Sequence, residues 1–205
     1  MSARSTKILA LGLGLGALIL GALAHDASHP TKANASIFEA LSLDDLIDRA
    51  DLIVEGRVAR KNYRSVARGG ALQLETHLEL EILRVHHGEI ETGMRLNLRL
   101  PGGKAKEREQ IYLGVPELAP REEILAFFRL EDGAYHFLGW SQGVYHIERD
   151  RDGEARARRV LEGQFIDRRG RISRADGKAM RLEDLRRIIR ERLSDDRARR
   201  KERQR

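Results

Sequence analysis

Between Leu72 and Val85, apolar and polar residues alternate over a longer run than anywhere else in the chain. Leu72, Leu74, Thr76, Leu78, Leu80 and Ile82 share one side of an extended backbone, while Gln73, Glu75, His77, Glu79 and Glu81 share the other. A period of two fits a half-buried strand and not a helix. The phase slips at Leu83 and Val85, and a bulge near Ile82 restores it. A strand of 14 residues must coil or bend. That favours a small closed barrel over a flat sandwich.

The neighbouring segments extend the pattern. Leu52, Val54, Gly56 and Val58 face one way in a strand over 52–60, with Glu55 and Arg57 facing the other way. Residues 61–70 read as a polar loop and 104–109 as a charged one. Strands are predicted over 94–100, 110–115, 124–130, 135–140, 144–149 and 156–161, with Pro101-Gly102-Gly103, Asp132-Gly133 and Ser141-Gln142-Gly143 as turns. Ser42 and Asp45 fit a helix start, followed by Leu43, Leu46 and Ile47 on one side. Leu182, Leu185, Ile188, Ile189 and Leu193 recur at helical spacing. The fold class is therefore mainly β: a small antiparallel barrel of the oligonucleotide/oligosaccharide-binding type, with a short N-terminal helix and a C-terminal amphipathic helix. A β-sandwich is the alternative.

The ends of the chain differ from its middle. Arg4 and Lys7 precede an uncharged run over 8–24, and Ala22 and Ala24 give the small-x-small pattern of a signal peptidase site. The expected organisation is a signal peptide over 1–24, a flexible segment over 25–41, the barrel over 42–162, a linker over 163–178, the amphipathic helix over 179–196 and a basic disordered tail over 197–205. Localisation is thus expected to be periplasmic or extracellular. Of the net charge of +6, the last nine residues carry six positives and one negative. The leader and the tail hold the excess, and the body between them is close to neutral. This argues against a nucleic-acid-binding domain and leaves the tail as a weak contact for an anionic surface. The absence of Cys excludes disulfides, thiol catalysis and thiolate metal sites.

Ala50-Asp51-Leu52-Ile53-Val54-Glu55-Gly56-Arg57-Val58 resembles the opening strand of small exported domains with an oligonucleotide/oligosaccharide-binding type of barrel, the shape class of netrin-like domains and tissue inhibitors of metalloproteinases. Four further stretches, in the same order, look like cysteine-free bacterial members of such a group. They are Ile82-Leu83-Arg84-Val85-His86-His87-Gly88, Pro101-Gly102-Gly103, Arg121-Glu122-Glu123-Ile124-Leu125-Ala126-Phe127-Phe128 and Gly139-Trp140-Ser141-Gln142-Gly143-Val144-Tyr145. The resemblance implies a fold and an export route over residues 42–149. It carries no inhibitory mechanism, because those inhibitors chelate the protease metal with an N-terminal cysteine, and the expected mature N-terminus here is His25.

Chemistry-bearing residues are sparse. After leader removal, His25 would offer an α-amine and an imidazole, with His29 nearby, as a metal chelate. The His86-His87 pair reads as a solvated turn. Ser141 lacks a nucleophile elbow, and no zinc-protease motif is present. Trp140, Gln142, Gly143 and Tyr145 form the candidate ligand-binding cluster: the single Trp, a two-way hydrogen-bonding amide and a Gly allowing close approach. A core role for Trp140, with Gln142 closing a barrel corner, is the alternative. The expected function is a non-enzymatic exported binding module, without a cofactor, for an envelope or extracellular protein, peptide or carbohydrate. The rivals are a protease inhibitor or metal binder working through the mature N-terminus, and a small envelope enzyme.

Overall fold

A computed structural model of the chain describes residues 37–106, 108–161, 164–166, 172–173 and 178–203. The expected signal peptide and the metal candidates His25 and His29 lie outside them. In chain order the elements are β1 (Ile37–Glu39), α1 (Leu43–Arg49), β2 (Leu52–Arg68), β3 (Ala71–His87), β4 (Arg95–Pro101), β5 (Gly103–Ala105), β6 (Arg108–Gln110), β7 (Glu123–Glu131), β8 (Ala134–Phe137), a short 3-10 turn (Trp140–Gly143), β9 (Val144–Arg149), β10 (Ala155–Arg159), β11 (Gln164–Ile166), β12 (Ile172–Ser173), β13 (Met180–Arg181) and α2 (Leu182–Arg203). The protein is mainly β, with about half of the described residues in strands.

The main sheet follows the order β13-β10-β9-β7-β2-β3-β4, with β8 also pairing β7. Its path is open: no hydrogen-bonded pairing joins its two ends among the described residues. The pairings within it are antiparallel. The alternation in β3 holds from Leu74 to Ile82, whose apolar members are buried, whereas Leu72 near the hairpin tip is exposed. The bulge is real and double. Glu55 pairs with Arg84 and Gly56 with Ile82, which leaves Leu83 extra; Ile53 pairs with His87 and Val54 with Val85, which leaves His86 extra. Each extra residue adds local twist and re-aims its side chain.

Residues 61–68 form a strand and not the expected polar loop, because β2 stays paired with β3 up to Arg68 and Ala71. The end of this ribbon, closed at Gly69-Gly70, is mostly exposed, so cross-strand pairing holds it without an apolar face. Residues 104–109 likewise fold into the β5–β6 hairpin. The predicted strand over 110–115 gives way to irregular chain after Gln110. Two further segments are more structured than expected. The flexible start supplies β1 and the linker supplies β11 and β12, with β1 running parallel to β11.

The main difference from a one-faced sheet is that both faces are dry. One face carries Leu52, Val54, Val58, Leu80, Ile82, Ile124 and Phe128. The other carries Ile53, Leu125, Phe127, Tyr145 and Ala157, covered by Leu46 and Ile47 of α1 and by Leu182, Leu185 and Ile189 of α2. Helix α1 starts with a capping box, in which Ser42 Oγ accepts from the Asp45 amide and Asp45 accepts from the Ser42 amide. Helix α2 packs on the sheet and continues to Arg203, taking in residues 197–203 of the expected disordered tail. That stretch holds Arg, Lys, Glu and Ala, all strong helix formers, and no Gly or Pro to stop it.

Candidate binding cleft

A cleft lies at the end of the first face, between β2–β3 and the β5–β6 hairpin. Pro101 ends β4, and Gly102 and Gly103 then turn the chain back over β3. The turn is pinned by the Gly102 amide donating to Leu74 O (2.8 Å) and Thr76 Oγ1 donating to Gly102 O (2.8 Å). Gln110 Oε1 accepts from the Leu74 amide at 2.5 Å and fixes the far strand of the hairpin. At Gly103 φ is +144°, and an added Cβ would stand 2.5 Å from the Tyr63 ring. Glycine is therefore what lets the Tyr63 ring lie against the backbone and form one wall.

The cleft has a volume of about 160 Å³ and a floor that includes Leu78 and Leu100. Lys61 stands at one end. Its Nζ donates to Leu118 O at 2.8 Å and lies 5.4 Å from the Tyr63 ring centroid, which leaves ammonium donors for a ligand. The irregular chain exposes Ile111 (76%), Tyr112 (41%) and Leu113 (47%) in succession, and the first two line the cleft. Aliphatic side chains this open, beside two half-exposed tyrosines, form a contiguous apolar lip.

The sequence-based cluster is dispersed by the structure. Trp140 opens a 3-10 turn at φ +58° and is half-exposed, so no strand continues through Ser141 to put it on one face with Gln142. Gln142 is buried and committed: its Oε1 accepts from the Leu41 amide (2.7 Å) and its Nε2 donates to Glu39 O (3.0 Å). Gly143 is buried where a Cβ would stand 2.2 Å from Leu138 O. Tyr145 faces the helices, with its ring 6.0 Å from Phe127 and beside the Arg159 guanidinium. The Ser141 amide, however, donates to Gly114 O at 2.8 Å. That bond ties the turn that begins at Trp140 to the irregular chain that follows β6. Sequence reasoning missed Tyr63, Ile111, Tyr112 and Leu113; the available signal was an Ile-Tyr-Leu run between a charged hairpin and Pro116.

Two histidine–carboxylate pairs lie elsewhere. Bulged His86 places Nε2 2.8 Å from Glu55 Oε1, and Arg186 of α2 grips the same carboxylate at 2.7 and 2.5 Å. Burial pushes the Glu55 carboxyl up, but the hydrogen bonds from Arg186 and His86 outweigh it and hold the pKa at about 2. His146 Nδ1 bonds Glu122, which also accepts from the Ala119 amide at 2.7 Å. There too burial raises the carboxyl, but the hydrogen bonds from His146 and the Ala119 amide, with the nearby charges of His146 and Lys61, together lower the pKa. Among the described residues neither imidazole hydrogen-bonds a serine or threonine hydroxyl, and no cluster has the composition of a metal site. These pairs tie elements together: His86 and Arg186 join β3 and α2 to β2, and His146 joins β9 to the turn before β7.

No protein-family model, curated protein or solved structure matches the chain. Among the described residues, no helix is long and apolar enough to cross a membrane.

Proposed function

We propose that the domain is an exported, non-enzymatic binding module whose cleft takes an extended polypeptide segment of an envelope or extracellular partner. The carrying observation is the exposed run Ile111-Tyr112-Leu113, whose first two residues line the cleft. Its aliphatic members favour a peptide over a carbohydrate: a sugar stacks on aromatic rings but gains little from open Ile and Leu side chains. In this reading one apolar side chain of the partner enters between Tyr63 and the floor, and Lys61 donates to a backbone carbonyl or carboxylate. Export rests on the charged and apolar pattern of residues 1–24. The finer fold belongs to the same reading: an incompletely closed barrel of the oligonucleotide/oligosaccharide-binding type, in which β4 approaches β8 without pairing to it.

The test is selection of binders from a random peptide library, with an oligosaccharide array in parallel, using the chain from His25 onward. Selected peptides should share an aromatic or aliphatic anchor. Tyr63→Ala and Ile111→Asp should each weaken them roughly 30-fold, while Leu72→Ala, exposed on the distant hairpin, should leave them unchanged. Peptides indifferent to both cleft substitutions, or binding of oligosaccharides alone, would overturn the reading.

A further inference from the structure

Helix α2 divides into two electrostatically different parts. Over its first three turns three of the four arginines have carboxylates among the described residues, and Arg190 is the exception. Arg186 holds Glu55 and Glu183, Arg187 holds Asp184 at 2.9 Å, and Arg192 reaches across to Asp48 of α1 at 2.7 Å. Past Leu193, the last residue of the helix packed against the core, this changes. Arg197, Arg199 and Lys201 are exposed and pair with no carboxylate among the described residues. From Arg197 to Arg203 the helix carries five positives against Glu202 alone. Ten residues from Ser194 to Arg203 extend roughly 15 Å, beyond the ~8 Å Debye length at physiological salt. The cations from Arg199 onward therefore lie beyond the reach of the body's carboxylates, and only Asp195 and Asp196 at the base of the extension, with Glu202, offset them.

We infer that the end of α2 is an electrostatic anchor for the surface of an anionic bilayer. The placement of the charges decides among polyanions. At 100° per residue, positions 197, 199, 200, 201 and 203 share a broad face of about 200°, wider than a single stripe, with Asp195 and Glu202 on the remaining face. A narrow rigid groove reads a single stripe, whereas a fluid plane of lipid headgroups can meet a broad cationic face. The stretch from 194 to 203 has no aromatic, Asn or Gln to read a base, and Ala198 is its sole apolar residue, so the contact requires no insertion. Macrodipole compensation accounts for cations in the last turn only; Arg197 and Arg199 lie before it.

The experiment is co-sedimentation of the chain from His25 onward, which keeps every described residue, with vesicles of phosphatidylcholine alone or with phosphatidylglycerol. A duplex DNA arm is set at equal phosphate concentration. Binding is expected to the anionic vesicles only and to fall steeply between low and physiological salt. Arg197→Gln/Arg199→Gln/Lys201→Gln should weaken it about a hundredfold, and the corresponding charge-keeping triple, with Arg→Lys at 197 and 199 and Lys→Arg at 201, should restore it. None of these positions touches the core, so the thermal midpoint reports intact folding. Equal binding by the glutamine triple, equal binding to neutral vesicles, or tighter binding to duplex DNA would each overturn the inference. The cleft is independent of it, since a peptide bound at Tyr63 is indifferent to all three substitutions.

Discussion

Glu55 on β2 and Arg186 on α2 lie 131 residues apart in the chain and are joined by two hydrogen bonds of 2.7 and 2.5 Å beneath the helix. His86 closes the third side of the same carboxylate. The group is buried, so its ionisation belongs to folding. A carboxyl held at about 2, against its ordinary 4.5, favours the folded state once ionised. The contribution is complete above about pH 5 and is lost as pH falls through 4.5 towards 2; it amounts to about 3 kcal/mol. Glu55→Gln should lower stability by about that much at pH 7. In urea titrations at several pH values, its deficit relative to the native chain should shrink towards zero near pH 2. A deficit that stays constant with pH would show that packing, and not the charge, carries the effect.

Gln142 ties the chain before α1 to the turn before β9. Replacing it with Leu preserves volume but leaves the Leu41 amide buried without an acceptor, at a cost of about 1–3 kcal/mol. Amide exchange should accelerate at Leu41 and its neighbours well before the protection of β2 is touched. Uniform acceleration throughout the domain would contradict a local clip.

Gly143 sits where a methyl group would stand 2.2 Å from Leu138 O and 3.1 Å from Phe127 O. Both oxygens are backbone, so neither can swing aside. Gly143→Ala should cost more than about 2 kcal/mol by forcing the turn before β9 away from β7 and from the backbone after β8. A thermal midpoint within 2 °C of the native value would exclude that packing.

Gly103→Ala tests the wall of the cleft. The new Cβ meets a ring at the surface and not a core group. Its φ of +144° adds backbone strain, but the hairpin lies at an edge. Peptide affinity should fall more than tenfold while stability falls by about 1–2 kcal/mol. Unchanged affinity would place recognition away from Tyr63.

The sequence made one face of the sheet legible. Leucine every second residue in β3, the slipped phase at Leu83 and the Ser42/Asp45 cap each appear in the structure for the reason that predicts them. The second face was harder to read. Glu55 looked solvated because alternation presumes one wet side, yet Ile53, Leu125 and Phe127 interleave with the first set and signal burial on both sides. What covers Glu55 arrives on a helix far along the chain, and no local pattern announces it. The cleft was illegible for a similar reason: Tyr63, Gly103 and Ile111 meet through the fold-back of the β5–β6 hairpin, and the residues that stand out in the sequence, Gln142 and Gly143, are spent inside.

The long β2–β3 ribbon outruns the core that its base builds. Its closing glycines have open space around them, and a side chain added at either would touch nothing. Cutting the chain there, or splicing in a foreign segment, would leave every buried contact in place. The tip is thus a site for circular permutation or for a reporter. It would also be open to a protease, and the two fragments would remain clasped after the cut.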